Sequence, residues 1–301
     1  MSQVMLMEHM TEQLCGLFSE PLASAAREAL ERGSVEEIRL RAGSAAAYLL
    51  EGREIILSRG NAAVVCQPGD LAQVIRRASD HAIYAVRDQL AGGFLTLAGG
   101  HRIGVCGRVV MENGAVRGIT EFQSLNLRIA REIPGAADGA TNLLWSNPAS
   151  TLILGPPGRG KTTVLRDLIR QLSDRFRYRI SVVDERGEIA ACVAGSPQLR
   201  VGKRTDVLSM CPKQLGIELV LRSMGPGWIA LDEITSAADA EAVIRASYSG
   251  VRFLATAHAW SREDLHRRPL YRALMEARVF ENLVVIEADR GLTCERITGE
   301  V

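Results

Sequence analysis

Nine consecutive residues constrain this chain more than any other feature: Gly155-Pro156-Pro157-Gly158-Arg159-Gly160-Lys161-Thr162-Thr163. They satisfy G-x-x-x-x-G-K-[ST] and lie between the apolar run TLIL and the helix-like VLRDLIRQL, the strand-to-helix setting that gives the pattern its meaning. Glycines are needed because the backbone must fold tightly round a phosphate and aim its N–H groups at it from the positive end of a helix. Lys161 is then expected to bridge the β- and γ-phosphates of a bound nucleotide, and Thr162 to hold Mg2+. All but three of the 36 basic residues are arginines, and Lys161 is one of those three lysines, with Lys203 and Lys213.

The texture of the chain changes near this loop. After residue 150, five compact apolar runs appear in order at Thr151–Leu154, Ile180–Asp184, Trp228–Asp232, Arg252–Thr256 and Leu283–Glu287, separated by helix-length segments. That rhythm predicts a parallel sheet with crossover helices. Before it, residues 11–32 read as two short helices broken at Pro21, and Glu37–Arg41 alternates as a strand does. Residues 45–67 carry short β-like runs, and residues 69–91 look helical with Leu71, Val74, Ile75 and Ala78 on one face. From Phe94 to Ile129 the pattern predicts hairpins, with Asn113-Gly114 the cleanest two-residue turn. The expected organisation is an α+β module over 1–133, a linker or seam over 134–150 with one short helix near Leu143, and an α/β domain over 151–301.

Composition sets the outer limits. With 47% hydrophobic and 24% charged residues in 301, the chain can bury a sizeable core. Basic and acidic residues balance at 36 and 35, which gives no bulk electrostatic reason for a nucleic-acid or anionic-membrane partner. Six cysteines lie far apart without a C-x-x-C pair, so neither a zinc module nor a redox dithiol is expected. The first residues, MSQVMLMEHMTEQL, lack a basic leader region and cleavage site, and no apolar stretch predicts a membrane span.

Hydrolysis needs carboxylates besides the phosphate loop. Trp228–Leu231 runs into Asp232 and Glu233, placing the first to hold the Mg2+ water shell and the second to polarise an attacking water. A bland alternative is that these acids cap the next helix. The earlier run Ser181-Val182-Val183 also ends in two acids, Asp184 and Glu185, for which a surface salt bridge is the alternative. A further run ends Thr256-Ala257-His258; if its strand lies between the phosphate-loop strand and the Asp232 strand, Thr256 or His258 reaches the γ-phosphate. His9, His81, His101 and His266 show no ligand spacing and are expected to be solvated or structural. Arg102, Arg108, Arg128, Arg131 and Arg222 are candidates for an arginine finger, with ordinary surface charge the competing reading. Arg204 and Asp206 fall in a loop-like stretch.

Taken in order, GPPGRGKTT, SVVDERGEIA, KRTDVLSMCPK, LRSMGPGWIALDEI and GVRFLATAHA closely resemble the stage III sporulation protein AA family, RecA-like ATPases of endospore formers related to type II and type IV secretion ATPases. VEEIRLRAG, GGHRIGVCGRVV and SLNLRIAREIPG extend the resemblance through the first module. It implies a RecA-like P-loop NTPase core behind a smaller α+β N-terminal domain, ATP and Mg2+ as ligands, and acidic and histidine boxes carried by Asp184, Glu185, Asp232, Glu233, Thr256 and His258. It further implies a ring, expected to be a hexamer. That ring would act as a motor in the mother-cell cytoplasm, held peripherally at the membrane by other stage III channel proteins that span towards the forespore. The family reads DEIG and TAHG where this chain has Thr235 and Ala259, both beside the chemistry. No zinc and no nucleic acid are expected. Two other readings stay open, an ATP-gated scaffold with little turnover and a RecA-like nucleic-acid motor. Also open is whether Glu233 or Glu185 is the principal base.

Overall fold

The computed structural model describes residues 3–82 and 86–297, which divide into two compact units, Met1–Arg131 and Glu132–Val301. In the first unit, helices α1 (Gln3–Cys15) and α2 (Leu22–Arg32) precede strands β1 (Val35–Arg41), β2 (Ala47–Leu50), β3 (Arg53–Ile56), β4 (Ser58–Arg59) and β5 (Ala62–Ala63). Helices α3 (Pro68–Ala78) and α4 (Arg87–Ala91) follow, then β6 (Phe94–Thr96), β7 (Arg102–Glu112) and β8 (Ala115–Arg128). Six of these strands form an antiparallel sheet in the order β3-β2-β1-β8-β7-β6. The helical pattern expected over 69–91 is two helices instead of one, and residues 83–85 of that stretch lie outside the described residues. Asn113 and Gly114 join β7 to β8 with φ of 51° and 77°, the doubly left-handed turn that suits the twist of a two-residue hairpin.

His101 sits inside this unit, only 2% exposed, its Nδ1 accepting the Ala130 N–H at 3.0 Å. Burial penalises the imidazolium and lowers its pKa to about 4. The folded state therefore holds a neutral ring while the unfolded chain takes up a proton near pH 6.5. Stability is full above pH 6.5 and declines as pH falls from there towards 4, by up to about 3 kcal/mol. Melting temperatures of the wild type and His101→Gln at pH 7 and pH 5 test this. The wild type should lose more stability between the two; an equal acid sensitivity of both proteins would remove His101 as the cause.

The second unit begins with α5 (Asp138–Ser146) and then alternates: β9 (Thr151–Leu154), α6 (Lys161–Asp174), β10 (Ile180–Asp184), β11 (Thr205–Ser209), α7 (Lys213–Met224), β12 (Trp228–Leu231), α8 (Ala237–Ser247) and β13 (Arg252–Ala257). It closes with α9 (Arg262–Arg267), α10 (Pro269–Glu276), β14 (Asn282–Ile286) and β15 (Leu292–Arg296). The sheet order is β11-β10-β12-β13-β9-β14-β15, parallel throughout except for the antiparallel β15. Every residue of β9, β10 and β12 is buried, as expected of strands covered by helices on both faces. Two strands of this sheet escape the sequence pattern, β11 and β15. Asp206 lies in β11, not in a loop; its strand is a half-exposed edge whose residues lack the apolar run that marks a central strand.

Gly216 explains how close α7 comes to the sheet. A Cβ at this position would overlap Val183 Cγ1 of β10, so only glycine lets the helix axis settle against that strand. Among the described residues no helix is long and apolar enough to cross a membrane.

Candidate active site

Strand β9 ends at Leu154, and the chain wraps through Gly155–Gly160 before entering α6 at Lys161. Gly158 and Gly160 take φ of 75° and 91°, the left-handed region that a side chain resists. No side chain caps α6, leaving the N–H groups of its first turn available to an anion. Arg159 is turned away, its Nη1 donating to the Ala288 carbonyl at 2.6 Å.

Strand order brings the remaining groups to this loop. β13 lies between β9 and β12, with Thr256 paired to Ile153 on one side and Ala255 to Leu231 on the other. The ends of three neighbouring strands, about 4.8 Å apart, thus present their side chains together. Thr256 Oγ1 donates to Asp232 Oδ1 at 2.8 Å, and Thr162 Oγ1 donates to Asp232 Oδ2 at 3.2 Å. Lys161 Nζ donates to the Pro156 carbonyl at 3.2 Å and meets His258 Nδ1 at 2.7 Å. His258 Nε2 lies 2.8 Å from Glu233 Oε2. An ammonium only donates and a carboxylate only accepts, so the hydrogen-bond partners assign His258 the tautomer with its proton on Nε2. Burial lowers the Lys161 pKa, opposed by the nearby carboxylates of Glu233 and Asp232.

Neither Asp232 nor Glu233 caps α8. That task belongs to Ser236, whose hydroxyl accepts from the Asp239 N–H while the Asp239 carboxylate accepts from the Ser236 N–H. The second acidic pair is engaged differently. Asp184, 1% exposed, spends its carboxylate on the backbone: Oδ1 accepts from Glu188 and Ile189 at 2.8 and 3.2 Å, and Oδ2 from Ala190 at 2.9 Å. Three of its acceptor positions hold the backbone of the loop that follows β10. Glu185 is paired with the buried Lys213 on the first turn of α7.

The arginine candidates of the first unit have local partners. Arg102 lies over the Phe94 ring at 3.9 Å, Arg108 pairs with Glu121 at 2.8 Å, Arg128 with Glu37 at 3.2 Å, and Arg131 donates to the Val35 carbonyl at 2.9 Å. Arg222 is exposed in the last turn of α7. Two participants went unseen in the sequence. Arg166 donates from α6 to the carbonyls of Ile189 and Glu188, both at 2.6 Å, and Tyr271 donates to the Ile234 carbonyl at 3.1 Å. A buried arginine carries no periodic mark in an arginine-rich chain. Lys213 had one signal, its rarity.

A parallel sheet with a glycine-rich phosphate loop after one strand and a polar cluster across the adjacent strand ends defines a RecA-like P-loop NTPase core, here preceded by a smaller α+β unit. The chain belongs to the family described as sporulation stage III, protein AA, whose model matches residues 10–299. It is 38% identical over 262 residues to stage III sporulation protein AA of Bacillus subtilis (strain 168), covering 85% of this chain and 84% of the relative. Among solved structures, the fold resembles the ATPase DotB of Legionella pneumophila, with TM-score 0.59, 14% identity, and coverage of 92% of this chain and 80% of that one. It also resembles the pilus retraction motor PilT with bound ADP, with TM-score 0.59, 18% identity, and coverage of 89% and 79%. At such identities the likeness speaks for the fold.

Proposed function

We propose that this chain binds and hydrolyses ATP as the oligomeric motor of a secretion-type channel complex formed during sporulation. The observation that carries this reading is the unbroken contact chain from Lys161 through His258 to Glu233, beside the Thr162–Asp232–Thr256 cluster. Membership of the sporulation family and the fold shared with the ATPase DotB and the pilus retraction motor PilT support it. On this reading the protein works in the mother-cell cytoplasm, held at the membrane by channel partners, in a ring expected to be a hexamer. Balanced charge argues against a nucleic-acid track.

Each residue then has a task. Lys161 exchanges the Pro156 carbonyl and His258 for phosphate oxygens, a stronger, charge-assisted set of partners. Thr162 and Asp232 offer oxygen donors only, the hard set that Mg2+ prefers, and the ion would neutralise charge on the β- and γ-phosphates. Glu233, its carboxylate directed by His258 Nε2–H, accepts a proton from the attacking water. That water's oxygen bonds to the γ-phosphorus as the bond to the β-phosphate oxygen breaks, yielding ADP and phosphate. Thr256 fixes Asp232 in orientation.

Turnover and particle size measured together across a protein concentration series test the proposal. Activity should rise with ring formation and be indifferent to added DNA or RNA. Nucleotide-dependent assembly without turnover would make the protein a nucleotide-gated scaffold instead, and strong stimulation by nucleic acid would turn the reading towards a translocase.

A further inference from the structure

The loop after β10 is held more firmly than a connection between strands requires. On one side Asp184 accepts the N–H groups of residues 188, 189 and 190. On the other, Arg166, 9% exposed, donates to the carbonyls of 188 and 189. Arg166 belongs to α6, the helix that carries Lys161 and Thr162, so the loop is fastened to the phosphate-binding helix of its own chain. Two desolvated charges are committed to fixing one short backbone segment. Such rigidity has a purpose only if the segment presents something.

Three residues remain between the anchors. Glu185 is drawn to Lys213, which Gly216, one turn further along α7, allows to approach β10. Gly187, at φ 66°, makes the turn, its N–H reaching the Asp184 carbonyl at 3.4 Å. Arg186 is left, exposed and without a hydrogen-bond or ion-pair partner among the described residues. It stands two residues beyond the end of β10, whose Val183 pairs with Leu231 of the neighbouring β12, so it lies on the sheet edge that carries Asp232 and Glu233. The charge balance there calls for a cation. Lys161 faces two carboxylates, and Mg2+ with ATP adds further net negative charge that grows more concentrated as the phosphoryl group transfers.

We propose that Arg186 contacts the γ-phosphate of the nucleotide held by its own chain's phosphate loop and stabilises the charge that develops on it during transfer. The proposal rests on the ATPase reading and adds an arginine supplied in cis, fastened by Asp184 and Arg166 as positioning residues. A guanidinium suits the task because its planar fork meets two phosphate oxygens at once, which a lysine cannot do.

The test compares wild type, Arg186→Ala and Arg186→Lys in ATP turnover, in affinity for ADP, and in affinity for ADP with aluminium fluoride, a mimic of the transferring phosphoryl group. In the alanine variant kcat and the affinity for the fluoride complex should each fall about 10²-fold with ADP affinity little changed, and lysine should restore only part. Mixing Arg186→Ala with Lys161→Ala should recover no turnover, since each chain must carry both residues. Unchanged kcat and fluoride-complex affinity would overturn the proposal, as would an equal loss of ADP affinity. Recovered turnover on mixing would also overturn it, because it would assign the arginine to a neighbouring copy. A wild type that neither hydrolyses ATP nor binds ADP defeats the ATPase reading itself, and this shows before any variant is made.

Discussion

Replacing Lys161 with alanine should lower ATP turnover on the order of 10³-fold while the protein still folds. Lys161 is buried, with 7% of its surface exposed, and its charge faces the carboxylates of Asp232 and Glu233. Its removal leaves those acids without their nearest cation, and it frees His258 Nδ1 and the Pro156 carbonyl. The substituted chain therefore repels a phosphate where the wild type attracts one, so the ATP affinity should fall along with kcat. Turnover, nucleotide affinity and melting temperature measured on the same preparation check this. An alanine variant that retained more than a tenth of the activity would show that the lysine is not the group that neutralises the phosphates. A melting temperature lowered in step with activity would make the loss one of stability.

Glu233→Gln should also reduce turnover on the order of 10³-fold, but with ATP binding retained or tightened. Glutamine keeps the size of the side chain and can still meet His258, yet it accepts no proton from water. Glu185→Gln should act differently. Its carboxylate is already committed to the buried Lys213, so this substitution leaves an ammonium without its counter-charge at the β10–α7 contact and should cost stability more than rate. Turnover and thermal melting of the two glutamine variants, side by side, separate the roles. A turnover loss in Glu185→Gln as deep as in Glu233→Gln would end the assignment of Glu233 as the single base.

How far the site could be read beforehand depended on how local its parts are. The glycines of the phosphate loop, Lys161 and Thr162 are contiguous, and their spacing carries its own geometry. Asp232 and Glu233 are legible because four buried apolar residues lead into them. Asp184 and Glu185 follow a run of the same kind, yet their tasks differ, and only the partners reveal it: three backbone N–H groups for the first and a lysine on another helix for the second. β11 was hidden because an edge strand needs no apolar run, and its existence depends on pairing with β10. Arg166 was hidden among so many arginines because burial is a property of the packed helix, not of the residue.

By itself the sequence determined the kind of architecture, a parallel sheet with a phosphate loop behind an α+β unit, because these follow from glycine conformation and from apolar periods of two and of three to four residues. It also named the residue types able to do the chemistry. The tertiary structure decided which of them meet. Placing β13 between β9 and β12 sets Thr256 against Asp232 and His258 between Lys161 and Glu233, over sequence separations of up to 97 residues. Strand order is a long-range choice, made by how crossover helices cover the sheet, and no local pattern encodes it.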